Sequence, residues 1–369
     1  MRVLVTIGTR PEAIKMAPLI KRLKHNNEFE VGLCNTGQHQ DLLDPILDFF
    51  DLKPDFNLNV MKTNQGLHEL TSNILLGVQT VLESYKPDYV LVHGDTTTSF
   101  ATSLAAYYCK VKVAHVEAGL RTHDKYQPFP EEINRSLNGR LADIHFSPTM
   151  SSKENLLLEN IKDEMIVLTG NTVIDALFDA LDLISDIKNE KMEGLIKGKR
   201  VILFTGHRRE NFGKGFNDVF RALAAVVDEN EDVIVIYPVH PNPNVKAMAK
   251  EFFKNNGKIS LIEPLNYGDF IWLMQRSHLV ITDSGGIQEE APSLGKPVLV
   301  VREVTERPEA VQSGTVILVG TDFSLIKDTA NRLLNDDEYY NKISSIQNPY
   351  GDGKASERII DYFIRQKTL

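Results

Sequence analysis

The sequence predicts an α/β protein that contains two doubly wound parallel sheets. Short Val/Ile/Leu runs alternate with longer segments of helical period along the chain, and the runs are continuously apolar rather than alternating. Alternating strands and helices are typical of parallel sheets with crossover helices. Continuously apolar strands indicate that helices cover both faces of each sheet.

The candidate strands fall into two sets that divide near Met165–Thr172. The first set is Arg2–Ile7, Glu30–Asn35, Tyr89–His93, Val111–Val116 and Ile144–Pro148. The second set is Arg200–Thr205, Val233–Pro238, Ile259–Ile262, Leu279–Thr282, Val298–Val301 and Val316–Val319. A charged linker is predicted at Lys188–Arg200. We expect domains at about 1–168 and 172–345, with a ligand between them and a helix at about 350–369 packed back on the first.

Bulk composition narrows the classes of function. A chain of 369 residues suits two domains, and 42% hydrophobic and 25% charged residues are typical of a soluble globular protein. No apolar run is long enough for a membrane span, and Cys34 and Cys109 are too few for a thiolate metal site or a disulfide framework. A cytoplasmic protein is therefore predicted. A net charge of −9 argues against general nucleic-acid binding, so an anionic ligand would need locally concentrated cations.

The first strand runs into a helix start at Gly8–Lys15, where Pro11 suits the first turn. Arg10 and Lys15 flank that start and are candidates for holding an anion, because a helix N-terminus normally favours acidic residues. The alternative is an ordinary helix start with solvated charges.

Three further loops of the first half carry carboxylates. His93 and Asp95 follow one strand, His115 and Glu117 follow the next, and Glu131 lies in a proline-stiffened loop. Carboxylates crowded at one sheet edge have pKa values driven apart, which supplies a proton donor and a proton acceptor. A metal site on the His-x-Asp and His-x-Glu pairs is one alternative. Helix caps and satisfied polar groups at strand ends are another.

Loops of the second half concentrate positive charge. His207, Arg208 and Arg209 lie in a glycine-containing loop, and His240 lies at the tip of a proline-rich one. Phe270 is a candidate for stacking on a base, with core packing as the alternative.

The strand Leu279–Thr282 ends at Ser284, Gly285 and Gly286 and passes into a helical pattern. Unpaired N–H groups at a helix start favour phosphate, and Glu290 one turn later suits sugar hydroxyls. Arg307 lies in the next loop. The alternative is a plain strand-to-helix turn.

Together these loops resemble the non-hydrolysing UDP-N-acetylglucosamine 2-epimerases. The matching segments are Gly8–Leu19, Gly37–His39, His93–Thr98, His115–Thr122, Pro128–Arg135, Gly170–Asp175, Thr205–Asn211, Thr282–Pro297 and Val301–Val311. The resemblance implies a glycosyltransferase-B type architecture, with two Rossmann-like domains around a cleft and UDP bound by the second. It also implies a homodimer, activity without a nicotinamide cofactor or a metal, and UDP, UDP-N-acetylglucosamine and UDP-N-acetylmannosamine as ligands.

Carried over by position, the resemblance implies acid/base roles for Asp95, Glu117 and Glu131, with the catalytic candidate His207 at the cleft. The substrate contacts it implies are Arg10, Lys15, Phe270, Ser284, Gly285, Gly286, Glu290 and Arg307. The reaction expected is loss of UDP with the C2 proton to give 2-acetamidoglucal, followed by re-addition with C2 inverted. A hydrolysing epimerase, a glycosyltransferase of the same fold, a metal-dependent hydrolase and a non-catalytic sugar-nucleotide sensor are the rival functions.

Bacterial members of that family often bind a second UDP-N-acetylglucosamine as an activator. Candidate residues for such a second site are Gln38, His39, Arg208, Arg209 and His240. Asp41 and Asn64 stand where those members tend to have Gln and Arg, so a cation near the second diphosphate is missing.

We therefore predict weak or absent substrate activation. The measurement is the velocity of the reverse reaction, from UDP-N-acetylmannosamine, without added UDP-N-acetylglucosamine. A hyperbolic curve is expected, and an absolute requirement for UDP-N-acetylglucosamine would contradict the prediction.

Overall fold

The structure, a computed structural model, describes residues 1–185, 187, 189–208 and 213–368. Its contacts divide the chain into unit 1, Met1–Asp179 with Tyr350–Leu369, and unit 2, Ala180–Pro349. Each unit contains one sheet whose strand pairs are all parallel. The predicted pair of doubly wound parallel sheets is therefore confirmed. No described helix is both long and apolar enough to cross a membrane.

Unit 1 contains a seven-stranded sheet. Its strands are β1 (Arg2–Ile7), β2 (Glu30–Asn35), β3 (Phe56–Asn57), β4 (Tyr89–His93), β5 (Lys112–Val116), β6 (Ile144–Ser147) and β7 (Ile166–Leu168). Its helices up to the unit boundary are α1 (Arg10–His25), α2 (Gln40–Phe49), α3 (Leu67–Tyr85), α4 (Thr97–Tyr108), α5 (Glu131–Leu141), α6 (Met150–Leu158) and α7 (Thr172–Ile184), the last of which runs into unit 2.

Unit 2 contains a six-stranded sheet. Its strands are β8 (Arg200–Thr205), β9 (Val233–Pro238), β10 (Ile259–Ile262), β11 (Leu279–Thr282), β12 (Val298–Val300) and β13 (Val316–Leu318). Its helices are α8 (Glu190–Ile196), α9 (Lys214–Glu229), α10 (Pro243–Phe253), α11 (Tyr267–Arg276), α12 (Gly285–Glu290), α13 (Pro308–Ser313), α14 (Phe323–Asn335) and α15 (Asp337–Ser344).

All predicted strands are present, and the four whose bounds differ are each one residue shorter. The short strands β3 and β7 were not predicted. The linker prediction was wrong in part, because α8 forms inside it. The Asn189 side chain caps that helix by accepting a hydrogen bond from the Met192 N–H at 3.2 Å.

The last helix, α16 (Ala355–Thr368), belongs to unit 1. The buried Asp175 carboxylate accepts the N–H groups of Ala355 at 3.1 Å and Ser356 at 2.7 Å, which caps the helix start. The Phe363 ring packs edge-on against Tyr89 and Phe146 of the sheet. A capped start and an aromatic contact therefore fix α16 on unit 1.

The two sheets share one strand order. Unit 1 has the order β3-β2-β1-β4-β5-β6-β7, and unit 2 has β10-β9-β8-β11-β12-β13. In each, the chain reverses its direction of growth between the first strand and the fourth. Ligands of open α/β sheets bind outside the carboxyl ends of the strands at this switch point. The residues that follow β1 and β4, and those that follow β8 and β11, are therefore the places to look for a site.

Candidate active site

Glu12 fixes the start of α1 at the switch point of unit 1. Its Oε2 accepts the backbone N–H groups of Gly8 at 3.0 Å and Thr9 at 2.8 Å, and its Oε1 accepts the Thr96 hydroxyl at 2.7 Å. Burial raises the pKa of Glu12, and these hydrogen bonds oppose the rise. The loop after β1 and the loop after β4 are thus joined through one buried carboxyl group.

Glu117 follows β5 with φ at +61°, in the left-handed region, and its side chain is only 8% exposed. Its Oε2 forms an ion pair with the buried Lys15 ammonium, accepts a hydrogen bond from Asn171 Nδ2 at 2.8 Å and lies 3.6 Å from His93 Nε2. Burial alone would raise the pKa of Glu117, but Lys15 and then His93 outweigh it and hold that pKa well below its usual range. Glu117 is therefore ionised at neutral pH.

Asp95 follows β4, the neighbour of β5 in the sheet. Its Oδ2 lies 2.6 Å from Arg135 Nη2, and its backbone carbonyl accepts a hydrogen bond from Asn134 Nδ2 at 2.9 Å. Burial raises the pKa of Asp95 and the Glu117 charge raises it further, against the lowering effect of Arg135. Two carboxyl groups at adjacent strand ends thus have pKa values shifted in opposite directions.

The other predicted residues of unit 1 lie near the same strand ends. Arg10 is the first residue of α1, and Glu131 is the first residue of α5, one turn before Asn134 and Arg135; both are partly exposed. Of the predicted second-site residues, Gln38 accepts hydrogen bonds from the N–H and the hydroxyl of Thr98 at 3.1 and 2.9 Å. His39 is exposed, with its N–H donated to the Gly8 carbonyl at 2.8 Å.

The surroundings of His115 bear on the alternative of a metal site. This side chain is fully buried, and its Nε2 lies 2.7 Å from the Gly94 carbonyl oxygen. Burial lowers the pKa of His115 to about 3, and the neighbouring His145 on β6 lowers it as well. Among the residues that the structure describes, no group of three or more His, Cys, Asp or Glu side chains is placed to hold a metal ion.

In unit 2, the loop after β8 is bound to the end of β11. Asp283, fully buried, accepts the N–H groups of His207 at 2.7 Å and Arg208 at 2.8 Å through Oδ2, and its Oδ1 lies 3.2 Å from His207 Nδ1. The His240 ring stacks on the His207 ring, with centroids 5.2 Å apart and planes at 14°. His240 and Arg208, predicted as second-site residues, thus lie beside the predicted catalytic His207. The predicted Arg209 lies outside the described residues.

Ser284 is the N-cap of α12, and its side chain makes no cap hydrogen bond. Ser284, Gly285 and Gly286 are all partly exposed. The Arg307 guanidinium lies beside them, since a methyl group added to Gly285 would be 3.7 Å from Arg307 Nη2. An ion pair between Arg307 Nε and Glu289 holds it there. A cation and the start of a helix therefore meet at one place in unit 2.

Glu290 and Phe270 lie on α12 and α11. The buried Glu290 carboxylate accepts the Tyr267 hydroxyl at 3.2 Å. Phe270 is one turn beyond Tyr267 and partly exposed, so its ring is not enclosed in the buried core of unit 2.

Comparisons with known proteins identify the family of this chain. A family model described as UDP-N-acetylglucosamine 2-epimerase matches residues 21–364. The chain belongs to this family. It is 52% identical to a UDP-N-acetylglucosamine 2-epimerase of Campylobacter jejuni, over 99% of this chain and 98% of the relative.

Solved structures of family members superpose over the whole chain. A crystal structure of a UDP-N-acetylglucosamine 2-epimerase from Listeria monocytogenes, described as putative, has a TM-score of 0.94 at 46% identity and covers 100% of this chain and 96% of that one. The Neisseria meningitidis UDP-GlcNAc 2-epimerase bound to UDP-GlcNAc has a TM-score of 0.89 at 46% identity, covering 99% and 100%.

Sequence reasoning gave no role to Arg135, Asn171 or Asp283. All three lie inside segments that carry the resemblance to the 2-epimerase family, and that position was their only signal. Each contacts a predicted catalytic residue from another part of the chain, at 2.6 Å from Asp95, 2.8 Å from Glu117 and 2.7 Å from His207. Such contacts depend on the fold and are not encoded by spacing.

The Lys15–Glu117 pair gives a stability prediction. Lys15→Met leaves a buried carboxylate without its main partner, and about 3 kcal/mol of unfolding free energy should be lost at pH 7. Because the pKa of Glu117 is depressed in the folded state, the pair stabilises the fold above the ordinary pKa of 4.5 and ceases to do so as pH falls through the folded value.

Urea unfolding of wild type and Lys15→Met at several pH values measures this. The difference in unfolding free energy should be largest near pH 7 and should shrink in acid. Lys21→Met, on the same helix, is the control. A difference that grows as pH falls, or one matched by Lys21→Met, would contradict the prediction.

Proposed function

We propose that this protein catalyses the reversible epimerisation of UDP-N-acetylglucosamine at C2, giving UDP-N-acetylmannosamine without net hydrolysis. The observation that carries the proposal is the pair of buried carboxyl groups, Asp95 and Glu117, at adjacent strand ends, with pKa values shifted in opposite directions. Support also comes from the name of the Campylobacter jejuni relative and from the Neisseria meningitidis structure bound to UDP-GlcNAc.

The substrate dictates an elimination. The C2 proton is not adjacent to a carbonyl group, so it is poorly acidic and its removal needs a leaving group at C1. In the proposed path a base takes the C2 proton, the C–H electrons form the C1–C2 double bond, and the C1–O electrons leave with UDP. The intermediate is 2-acetamidoglucal. Re-addition of UDP at C1, with a proton delivered to the other face of C2, inverts that centre.

The carboxyl groups suit the two proton transfers. Glu117, kept ionised by Lys15, is the proposed proton acceptor, and Asp95, the more readily protonated of the two, is the proposed donor. Glu131 begins α5 one turn before Arg135, the partner of Asp95, and is the proposed third proton-handling group. In the reverse direction the donor and the acceptor exchange roles.

Residues of unit 2 are proposed to bind the leaving group, the diphosphate of UDP. The N–H groups at Ser284, Gly285 and Gly286 and the Arg307 guanidinium are proposed to bind the diphosphate as its charge develops. His207 is proposed as a further donor to that diphosphate.

Three further residues are proposed to contact the ribose, the base and the diphosphate of UDP. Glu290 is proposed to accept ribose hydroxyls, and the partly exposed Phe270 is proposed to stack on the base. Arg10 is proposed to contact the diphosphate from the start of α1.

We also propose a homodimer. Large apolar side chains are exposed on the neighbouring helices α3, α4 and α5, namely Leu76, Tyr107, Tyr108, Ile133 and Leu137. The groove beside Leu76 carries both Glu83 and Lys86, and charges of opposite sign on one surface suit an isologous contact. Light scattering should give twice the mass of the chain, and a monomer at micromolar concentration would contradict this.

Proton NMR of UDP-N-acetylglucosamine with the protein in heavy water tests the proposed function. Deuterium should appear at C2, and the gluco and manno isomers should both accumulate with UDP attached. No exchange at C2 would overturn the proposal. Free N-acetylmannosamine as the main product would instead identify a hydrolysing epimerase.

Asp95→Asn should lower kcat by about 10²–10⁴-fold, because an amide holds no transferable proton at this position. UDP affinity should change little, since Asp95 is proposed to act on C2 and not on the nucleotide. Steady-state kinetics and calorimetric titration with UDP measure the two effects. Asp48→Asn, at an exposed position on α2, is the matched control. A large loss of UDP binding would reassign Asp95 to holding the substrate.

A further inference from the structure

We propose that Asp283 is a positioning residue that sets which ring nitrogen of His207 carries the proton. In this arrangement Nδ1 always carries a proton, and Nε2 faces the departing diphosphate and donates to it when the ring is doubly protonated. The inference rests on the proposed function, which places the diphosphate at the start of α12.

The Asp283 carboxylate is held in a fixed orientation. Its Oδ2 accepts two backbone N–H groups, from His207 at 2.7 Å and from Arg208 at 2.8 Å. Rotation of the carboxylate would break both hydrogen bonds in a site from which solvent is excluded, because Asp283 is fully buried. Oδ1 is therefore held towards the His207 ring, 3.2 Å from Nδ1.

The protonation state of the Asp283 carboxyl group follows from its contacts. Burial raises the pKa of Asp283, but the hydrogen bonds and charge of His207 and the backbone N–H groups lower it more, so the carboxyl group is ionised at neutral pH. A carboxylate can only accept, so Nδ1 must be the donor. Nε2 is then the ring nitrogen that is left to contact a ligand.

The orientation of the His207 imidazole ring is also restricted. The His240 ring stacks on one face of His207 with planes at 14°, which opposes rotation of the imidazole. The His207 side chain is still 40% exposed, so part of it can reach a ligand. Asp283 immediately precedes Ser284, so the residue that orients His207 also leads into the helix start that is proposed to bind the diphosphate.

The chemical consequence concerns the bond-breaking step. As the C1–O bond breaks, its electron pair passes to the diphosphate, and an Nε2–H donor on a protonated ring stabilises the added negative charge. The Asp283 carboxylate stabilises that ring charge from the other side, as an orienting carboxylate does in hydrolase triads. No proton needs to pass to Asp283.

Asp283→Asn tests the proposal sharply, because it changes few atoms and has a defined effect. The single carbonyl oxygen of the amide must face the two backbone N–H groups, so the NH₂ group faces His207 Nδ1. Nδ1 then becomes an acceptor, and the proton of the neutral ring moves to Nε2. The substitution should therefore exchange the tautomers and disfavour the charged ring.

Nitrogen-15 NMR of histidine-labelled protein measures the tautomer directly, with His207→Ala identifying the His207 signals. In the wild type, at a pH where His207 is neutral, Nδ1 should carry the proton; in Asp283→Asn, Nε2 should carry it. A wild-type proton on Nε2 would overturn the proposal without recourse to any variant of Asp283. An unchanged tautomer in a folded Asp283→Asn protein would also overturn it.

Kinetics separates positioning from simple structural support. Asp283→Asn should lower kcat about 10²-fold, because the ring facing the departing diphosphate loses its positive charge although Nε2–H remains a donor, while UDP binding stays within a few-fold. In a His207→Ala background the same substitution should cost less than about 3-fold, because its target is gone. If Asp283→Asn still lowered kcat about 10²-fold in the His207→Ala background, the positioning role would be overturned. A wild type with no epimerase activity would count against the proposed function alone, since the NMR result stands apart from turnover.

Discussion

One carboxylate oxygen of Glu117 lies against the buried ammonium of Lys15, and the other features of the unit 1 site depend on this pair. Burial favours the neutral form of a carboxyl group, and the nearby cation reverses that preference. The retained charge on Glu117 then helps to raise the pKa of Asp95 at the next strand end. Burial and this ion pair together thus shift the pKa values of two otherwise similar carboxyl groups in opposite directions. The register of β4 with β5 keeps them adjacent, and Glu12 joins the start of α1, which carries Lys15, to the loop that contains Asp95.

Unit 2 uses buried carboxylates in the same way but to orient donors. Asp283 fixes the backbone and ring of His207, and Glu289 holds the Arg307 guanidinium beside Gly285. In each case a buried carboxylate fixes the position of a neighbouring cation or N–H group, and this role does not require the carboxylate itself to contact a ligand. His207 and Asp283 follow the two strands at which strand order reverses, and Arg307 lies in the loop after the neighbouring strand β12. The chain has a net charge of −9, so cations held in this way give local positive charge that the chain as a whole lacks.

The sheets could be predicted from sequence because buried parallel strands are continuous apolar runs, and those runs are present. The strands β3 (Phe56–Asn57) and β7 (Ile166–Leu168) are too short to show a period, and α8 was missed because it has only seven residues, three of them charged and one a glycine. Asp95 and Glu117 were predictable because strand-end positions converge in any parallel sheet. Their partners Arg135 and Asn171 were not, because these contacts join distant segments at distances that only the fold sets.

Carbon-13 NMR titration of the Asp95 and Glu117 carboxyl carbons in the unliganded protein tests the central claim most directly. Signals can be assigned with Asp95→Asn and Glu117→Gln. The account predicts that Glu117 titrates well below its ordinary pKa of 4.5 and that Asp95 titrates above its ordinary 3.8, with Asp95 the higher of the two. A common midpoint, or Glu117 as the group with the higher pKa, would contradict the account.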